Sequence, residues 1–187
     1  LPLFEAAELS AAICRLAGPL EALTTRRDHT VGDVRAREAM WRTVSGDASP
    51  LEPWRLASTL WCAHWFWPGN ARVPAPSPPE WGAARDAILR GDPTISRQRL
   101  AAWTELARSL ARTHGFFHWP LEFPDVFLGT GGDRDGRAPG GFDAVIGNPP
   151  WEMLRGDRQT DRASGGARRS LVRFLKESGA YPDGARG

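Results

Sequence analysis

The run Phe142-Asp143-Ala144-Val145-Ile146 does most to limit what this chain can fold into. It is short, apolar except at Asp143, preceded by Gly140-Gly141 and followed at once by Gly147-Asn148-Pro149-Pro150-Trp151. A short apolar run between turn signals, with no polar alternation, fits a strand buried on both faces in a parallel sheet. Pro149 and Pro150 lack the N–H a ladder needs, so the strand must end there. The Asn148–Trp151 loop is then expected at the carboxyl edge of an α/β sheet, where such sheets bind ligands.

Residues 1–115 have a different period. Phe4, Leu9, Ile13, Leu16, Leu20 and Leu23 recur at helical spacing up to about Thr25, and Asp28 or Thr30 is placed to cap a second helix to about Val44. After Pro53, residues Trp54 to Phe66 leave almost no polar face, which predicts a helix buried nearly all round. Pro68-Gly69-Asn70 ends it, and Val73-Pro74-Ala75-Pro76-Ser77-Pro78-Pro79 predicts a stiff, extended connector. Two further helices are expected, about Glu80 to Arg90 and from Pro93 in a first turn to about His114, with Leu100, Trp103, Leu106 and Leu110 on one stripe. Beyond Gly115 the helical region ends. Phe116-Phe117-His118-Trp119, bounded by Pro120, suits a short strand or extended turn; a glycine-rich loop follows over 129–136, and Ser170 to Ser178 suits one short helix. The fold class expected is α/β, a mostly helical part at 1–115 followed at 116–187 by part of a Rossmann-like sheet that cannot close within these residues.

Composition narrows the functions. The chain has 187 residues, enough for one ordinary domain, and a formal net charge of +2, too weak by itself to argue for nucleic acid. Its basic residues are nearly all arginine, with Lys176 the single lysine, which fits either phosphate recognition or GC-rich coding. No apolar run reaches a membrane span and no secretory signal opens the chain, so a cytoplasmic protein is the expectation. Leu1 opens inside an amphipathic segment and Gly187 follows no capped element, and the chain reads as a piece of a longer protein. Cys14 and Cys62 have no CxxC spacing and read as small buried hydrophobes.

The loop carries the chemistry. Two successive prolines fix φ and remove two donors, leaving the local carbonyls and the Asn148 side chain as preorganised acceptors. A planar aromatic amine is a poor nucleophile because its lone pair is delocalised. Acceptors on its hydrogens, here the Asn148 side-chain oxygen and the Pro149 carbonyl, favour a more tetrahedral nitrogen and stabilise the positive charge that develops on alkylation. Trp151 offers a flat face for a base flipped out of a duplex, a contact worth on the order of 1–3 kcal/mol.

The sequence 142–151 resembles motif IV of the amino-methyltransferases, (D/N/S)-P-P-(Y/F/W). The lead-in, Phe117-His118-Trp119-Pro120-Leu121-Glu122-Phe123-Pro124-Asp125-Val126-Phe127, then a glycine-rich gap and Gly-Phe-Asp, is similar to the large adenine-N6 DNA methyltransferases of type IIG restriction-modification and phage-defence systems. In those proteins a long helical segment precedes motif IV, as residues 1–115 do here. The resemblance implies methyl transfer from S-adenosylmethionine to adenine N6 in double-stranded DNA. Asn148 and Pro149 would hold the amine, Pro150 would stiffen the loop, and Trp151 would stack on the base. It also implies a cofactor-binding glycine-rich turn, expected upstream in the rest of the polypeptide, so that these residues alone would be inactive and marginally stable.

Other signals carry less. Phe127-Leu128-Gly129-Thr130-Gly131 imitates a cofactor turn but follows no strand and leaves no room for a βαβ unit. His114 and His118 stand four apart but Gly115 intervenes and no carboxylate or thiolate completes a metal set. Trp54, Trp61, Trp65 and Trp103 lie on helical stripes and read as core. Arg155, the weakest of the substrate-binding candidates, leads a series with Arg158, Arg162, Arg168, Arg169 and Arg173 that fits a DNA-backbone contact or a solvated loop equally. Two further readings stay open: an amino-methyltransferase acting on protein glutamine or RNA, and a non-catalytic helical module that binds DNA or a partner protein.

Overall fold

Thr30 and Asp33 show how directly the local sequence sets the elements. Asp33 N–H donates to Thr30 Oγ1 at 3.2 Å and Thr30 N–H to the Asp33 carboxylate at 2.8 Å, a capping box that starts a helix at Val31. Ser77 N–H likewise donates to the Glu80 carboxylate at 3.0 Å, and the helix there begins at Pro78 rather than Glu80: Pro78 and Pro79 leave the extended connector expected of them for a first turn whose N–H groups are unbonded anyway. The computed structural model describes residues 6–16, 29–92, 94–123, 126–127, 141–142, 144–147 and 164–178. Their helices are α1 (Ala6–Cys14), α2 (Val31–Ser45), α3 (Glu52–Ala63) with a 3-10 turn (His64–Phe66), α4 (Pro78–Arg90), α5 (Arg97–His114), α6 (Trp119–Glu122) and α7 (Ser164–Glu177). Among the described residues no strand forms, and no helix is long and apolar enough to cross a membrane.

The chain divides into two compact units, Leu1–Ser58 with Phe117–Val145 and Thr59–Phe116 with Ile146–Gly187. In the first, Leu9, Ala12, Ile13 and Leu16 form the buried stripe that their i, i+3, i+4, i+7 spacing requires, and Val44, Leu51, Trp54, Ala57 and Leu121 are buried with them or elsewhere in the unit. In the second, Leu60, Ala63, Trp67, Ala84, Trp103 and Ala107 form the core, with Val73, Ala75, Trp81, Leu100, Leu106, Leu110 and Phe116 packed around it. Two tryptophans pin the proline-rich connector to that core: Trp67 Nε1–H donates to the Val73 carbonyl and Trp103 Nε1–H to the Pro74 carbonyl, both at 2.9 Å. Proline-rich backbone makes no internal hydrogen bonds, so its carbonyls need such outside donors when covered.

Several expectations change in detail. The helix containing Trp54 is not buried all round, since Trp61 is 38% exposed and its ring instead meets Trp81 edge-on at 4.7 Å. α5 starts at Arg97 rather than near Pro93, because Ser96 caps it through Arg99 N–H and the Asp92 carboxylate instead holds Thr94 N–H in a turn. Residues 116–118 are irregular as expected of an extended turn, but Trp119 opens a helical turn that Pro120 suits, its ring fixing φ where an N–H would be unbonded anyway. α7 begins at Ser164, well before Ser170, so the glycines at 165 and 166 lie inside its first turns. Of the run expected as a buried strand, Phe142, Ala144, Val145 and Ile146 lie in no regular element, with Val145 73% and Ile146 98% exposed, and Asp143 lies outside the described residues.

Candidate active site

Asn148, Pro149, Pro150, Trp151 and Arg155 lie outside the described residues, as does the Gly129–Gly131 stretch. The structure does describe residues that precede Asn148 in the chain, an aromatic cluster in the first unit which no periodicity in the sequence announces. α6 places Trp119 and Phe123 one turn apart, so their rings lie nearly parallel with centroids 5.8 Å apart. Phe117 meets Trp119 edge-on at 5.0 Å, and Phe142 meets Trp119, Phe123 and Phe127 at 5.9, 5.2 and 5.6 Å, each near perpendicular. These are the offset and T-shaped geometries that aromatic quadrupoles favour. Gly141, with φ of +120°, turns the chain into Phe142, and a Cβ there would lie 3.5 Å from the Phe127 ring.

The cluster is half open. Phe117, Trp119, Phe123 and Phe142 are 52%, 46%, 37% and 39% exposed, whereas Leu121, on the other side of the same turn, is buried. Below it lies a polar clamp. Arg55 on α3 donates through Nε to Glu122 at 3.4 Å and through its fork to the Val44 and Ser45 carbonyls at 3.2 and 3.5 Å. Those carbonyls are among the groups a helix C-terminus leaves unpaired, so one guanidinium closes α2 and anchors α6. Burial pushes the His118 imidazole below the usual histidine range, with Glu122 opposing and Arg55 reinforcing the shift, so neutral imidazole is favoured at pH 7.

The remaining candidates resolve into packing. In the second unit His114 lies over Phe66 with centroids 4.2 Å apart and near-parallel to Phe116, and burial lowers its pKa. Among the described residues no group of His, Cys, Asp and Glu could hold a metal ion. Burial pushes the Cys62 thiol up, the opposite of what an attacking thiolate needs. Trp54 and Trp103 are buried as expected, while Trp65 is half-buried and packs its ring against Phe174 of α7 at 5.8 Å.

With these positions on the page, comparison with known proteins defines a class: the family described as Eco57I restriction-modification methylase matches residues 56–175, which takes in the aromatic cluster, residues Asn148–Trp151 and nearly all of α7. The match places the chain among DNA methyltransferases of the restriction-modification kind. The chain belongs to the Eco57I restriction-modification methylase family. No curated protein and no solved structure matches it.

Proposed function

We propose that this chain carries the target-base loop of an enzyme that methylates adenine at N6 in double-stranded DNA, using S-adenosylmethionine. The observation that carries the reading is Asn148-Pro149-Pro150-Trp151 standing inside the stretch matched by a restriction-modification methylase family. A DNA methyltransferase must bring a base out of the stack to reach its amine, and this loop combines acceptors for amino hydrogens with an aromatic face for the extruded base. The Asn148 side-chain oxygen and the Pro149 carbonyl each accept one hydrogen of the adenine amine, and Pro150 holds the loop in place. Trp151 stacks on the base. The cofactor supplies an activated methyl group. Among the described residues no glycine-rich turn follows a strand to cradle it.

In the same reading, residues 142–146 form one strand of a Rossmann-like sheet whose other strands come from residues outside those described. The exposed Val145 and Ile146 support this, since apolar side chains at a strand position gain from flanking neighbours. The chain's partners are duplex DNA and the rest of its own polypeptide.

The test is Asn148→Ala in the full-length enzyme. Removing one of two acceptors that act mainly on the developing charge lowers kcat by about 100-fold or more and leaves the affinity for duplex DNA within a few-fold of wild type. Unchanged turnover would remove Asn148 from the site and the reading with it.

A further inference from the structure

α7 carries three of its cations close together on one side. At about 100° per residue, Arg169, Arg173 and Lys176 fall within a narrow arc, with Phe174 on the opposite part of the helix. The packing agrees. Phe174 sits against Trp65 and Phe66 with centroids 5.8 and 5.5 Å away, while Arg169 and Lys176 are exposed. Arg173 reaches past the ring to donate from Nη2 to the Trp65 carbonyl at 2.9 Å, and its Nε lies 4.0 Å from Glu177. The helix is therefore fixed to the 3-10 turn by one aromatic ring and one guanidinium, both in the second unit. Arg169 and Lys176 form no ion pair among the described residues.

The density of the stripe matches a particular kind of partner. From residue 169 to 176 a helix rises about 10 Å, and one strand of duplex DNA carries a phosphate per roughly 3.4 Å of duplex axis, or about three over that axial distance. Between Arg169 and Lys176 no carboxylate interrupts the cations; the intervening residues are Ser170, Leu171, Val172, Arg173, Phe174 and Leu175. The solvent stripe of α5 is built differently, with Arg97, Arg108 and Arg112 spread over roughly 22 Å of helix and Glu105 among them. A docked row of cations whose one neighbouring carboxylate, Glu177, stands at its C-terminal end loses little helix freedom on meeting a row of anions, whereas a face with a carboxylate among its cations gains less from one.

We propose that the Arg169–Lys176 stripe is a seat for the phosphodiester backbone of duplex DNA, with Arg169 and Lys176 as phosphate contacts and Arg173 as the residue that positions the helix. This rests on the reading of the enzyme as a DNA methyltransferase. Phosphate contacts set register and affinity without reading sequence, so the stripe strengthens binding equally on all sequences.

The experiment uses the full-length enzyme and a random-sequence duplex oligonucleotide, with fluorescence anisotropy across a KCl series. Arg169→Ala/Lys176→Ala is expected to flatten the dependence of log affinity on log salt by about 1.8, or roughly thirtyfold weaker binding near 0.15 M salt. The charge-preserving pair Arg169→Lys/Lys176→Arg restores the slope, and Arg97→Ala/Arg112→Ala on α5 leaves it unchanged. An unaltered slope in the first variant, with a circular dichroism spectrum like wild type, overturns the proposal. So does an equal loss in the α5 variant, which would reduce the effect to net charge. Wild-type enzyme that does not bind the duplex at all overturns the DNA reading along with this one, whereas wild-type binding indifferent to residues 169 and 176 overturns the stripe alone.

Discussion

Trp103 does two jobs with one side chain. It is fully buried between core helices, and its indole N–H holds the Pro74 carbonyl of the connector. Trp103→Phe keeps most of the apolar volume but leaves that carbonyl without its donor, and is expected to lower stability by about 1–3 kcal/mol. The exposed Trp41 on α2 provides the comparison: Trp41→Phe should change stability by less than about 0.5 kcal/mol. Urea midpoints of the two full-length variants check this, and equal shifts would show that the Pro74 bond contributes nothing. Burial of Trp103 was legible in its helical stripe with Leu100, Leu106 and Leu110, but its bond to Pro74 was not, because nothing local links residues so far apart in the chain. The same holds for Arg55 and Glu122, whose ion pair closes across the separation between α3 and α6. Asn148–Trp151 lies outside the described residues, and its proposed chemistry rests on consecutive residues alone.

At the scale of elements, two glycines make opposite forecasts. Gly82 lies inside α4 with open space where a Cβ would stand, so Gly82→Ala should stabilise the protein by roughly 0.5–1 kcal/mol through the lower entropy of the unfolded chain. Gly115 also has open space, but its φ of +65° ends α5 in the left-handed region, and Gly115→Ala should destabilise by about 1 kcal/mol. Thermal melting of both variants tests the pair, and a shift of the same sign in both would contradict it. The helix start at Thr30 is readable as one of two candidate caps, with Asp28, whereas the start at Pro78 is hidden in a proline run that reads as extended connector and that Ser77 in fact caps. Two signals also compete at the start of α5: Pro93 suggests a first turn, and Ser96 holds the actual cap. The early start of α7 has no visible signal in the sequence, because Gly165 and Gly166 argue against helix, and among the described residues the docking of Phe174 and Arg173 on the 3-10 turn offsets them.

For the whole molecule, the helical character of residues up to His114 follows from periodicity, and the described residues are helical wherever they are regular. The aromatic cluster of Phe117, Trp119, Phe123, Phe127 and Phe142 was not foreseen as a unit, since it joins a helical turn to an irregular stretch and has neither period. It lies within the residues matched by the restriction-modification methylase family and precedes Asn148–Trp151 in the chain, the residues to which we assign the proposed reaction's selectivity for an amine. The central claim is that this amine is adenine N6. The most direct measurement incubates the full-length enzyme with mixed-sequence duplex DNA and methyl-labelled S-adenosylmethionine, digests the DNA to nucleosides and identifies the labelled one by chromatography and mass. The account predicts label in N6-methyldeoxyadenosine and its loss in Asn148→Ala. Label in a methylated deoxycytidine, or transfer only to RNA or protein, would contradict it.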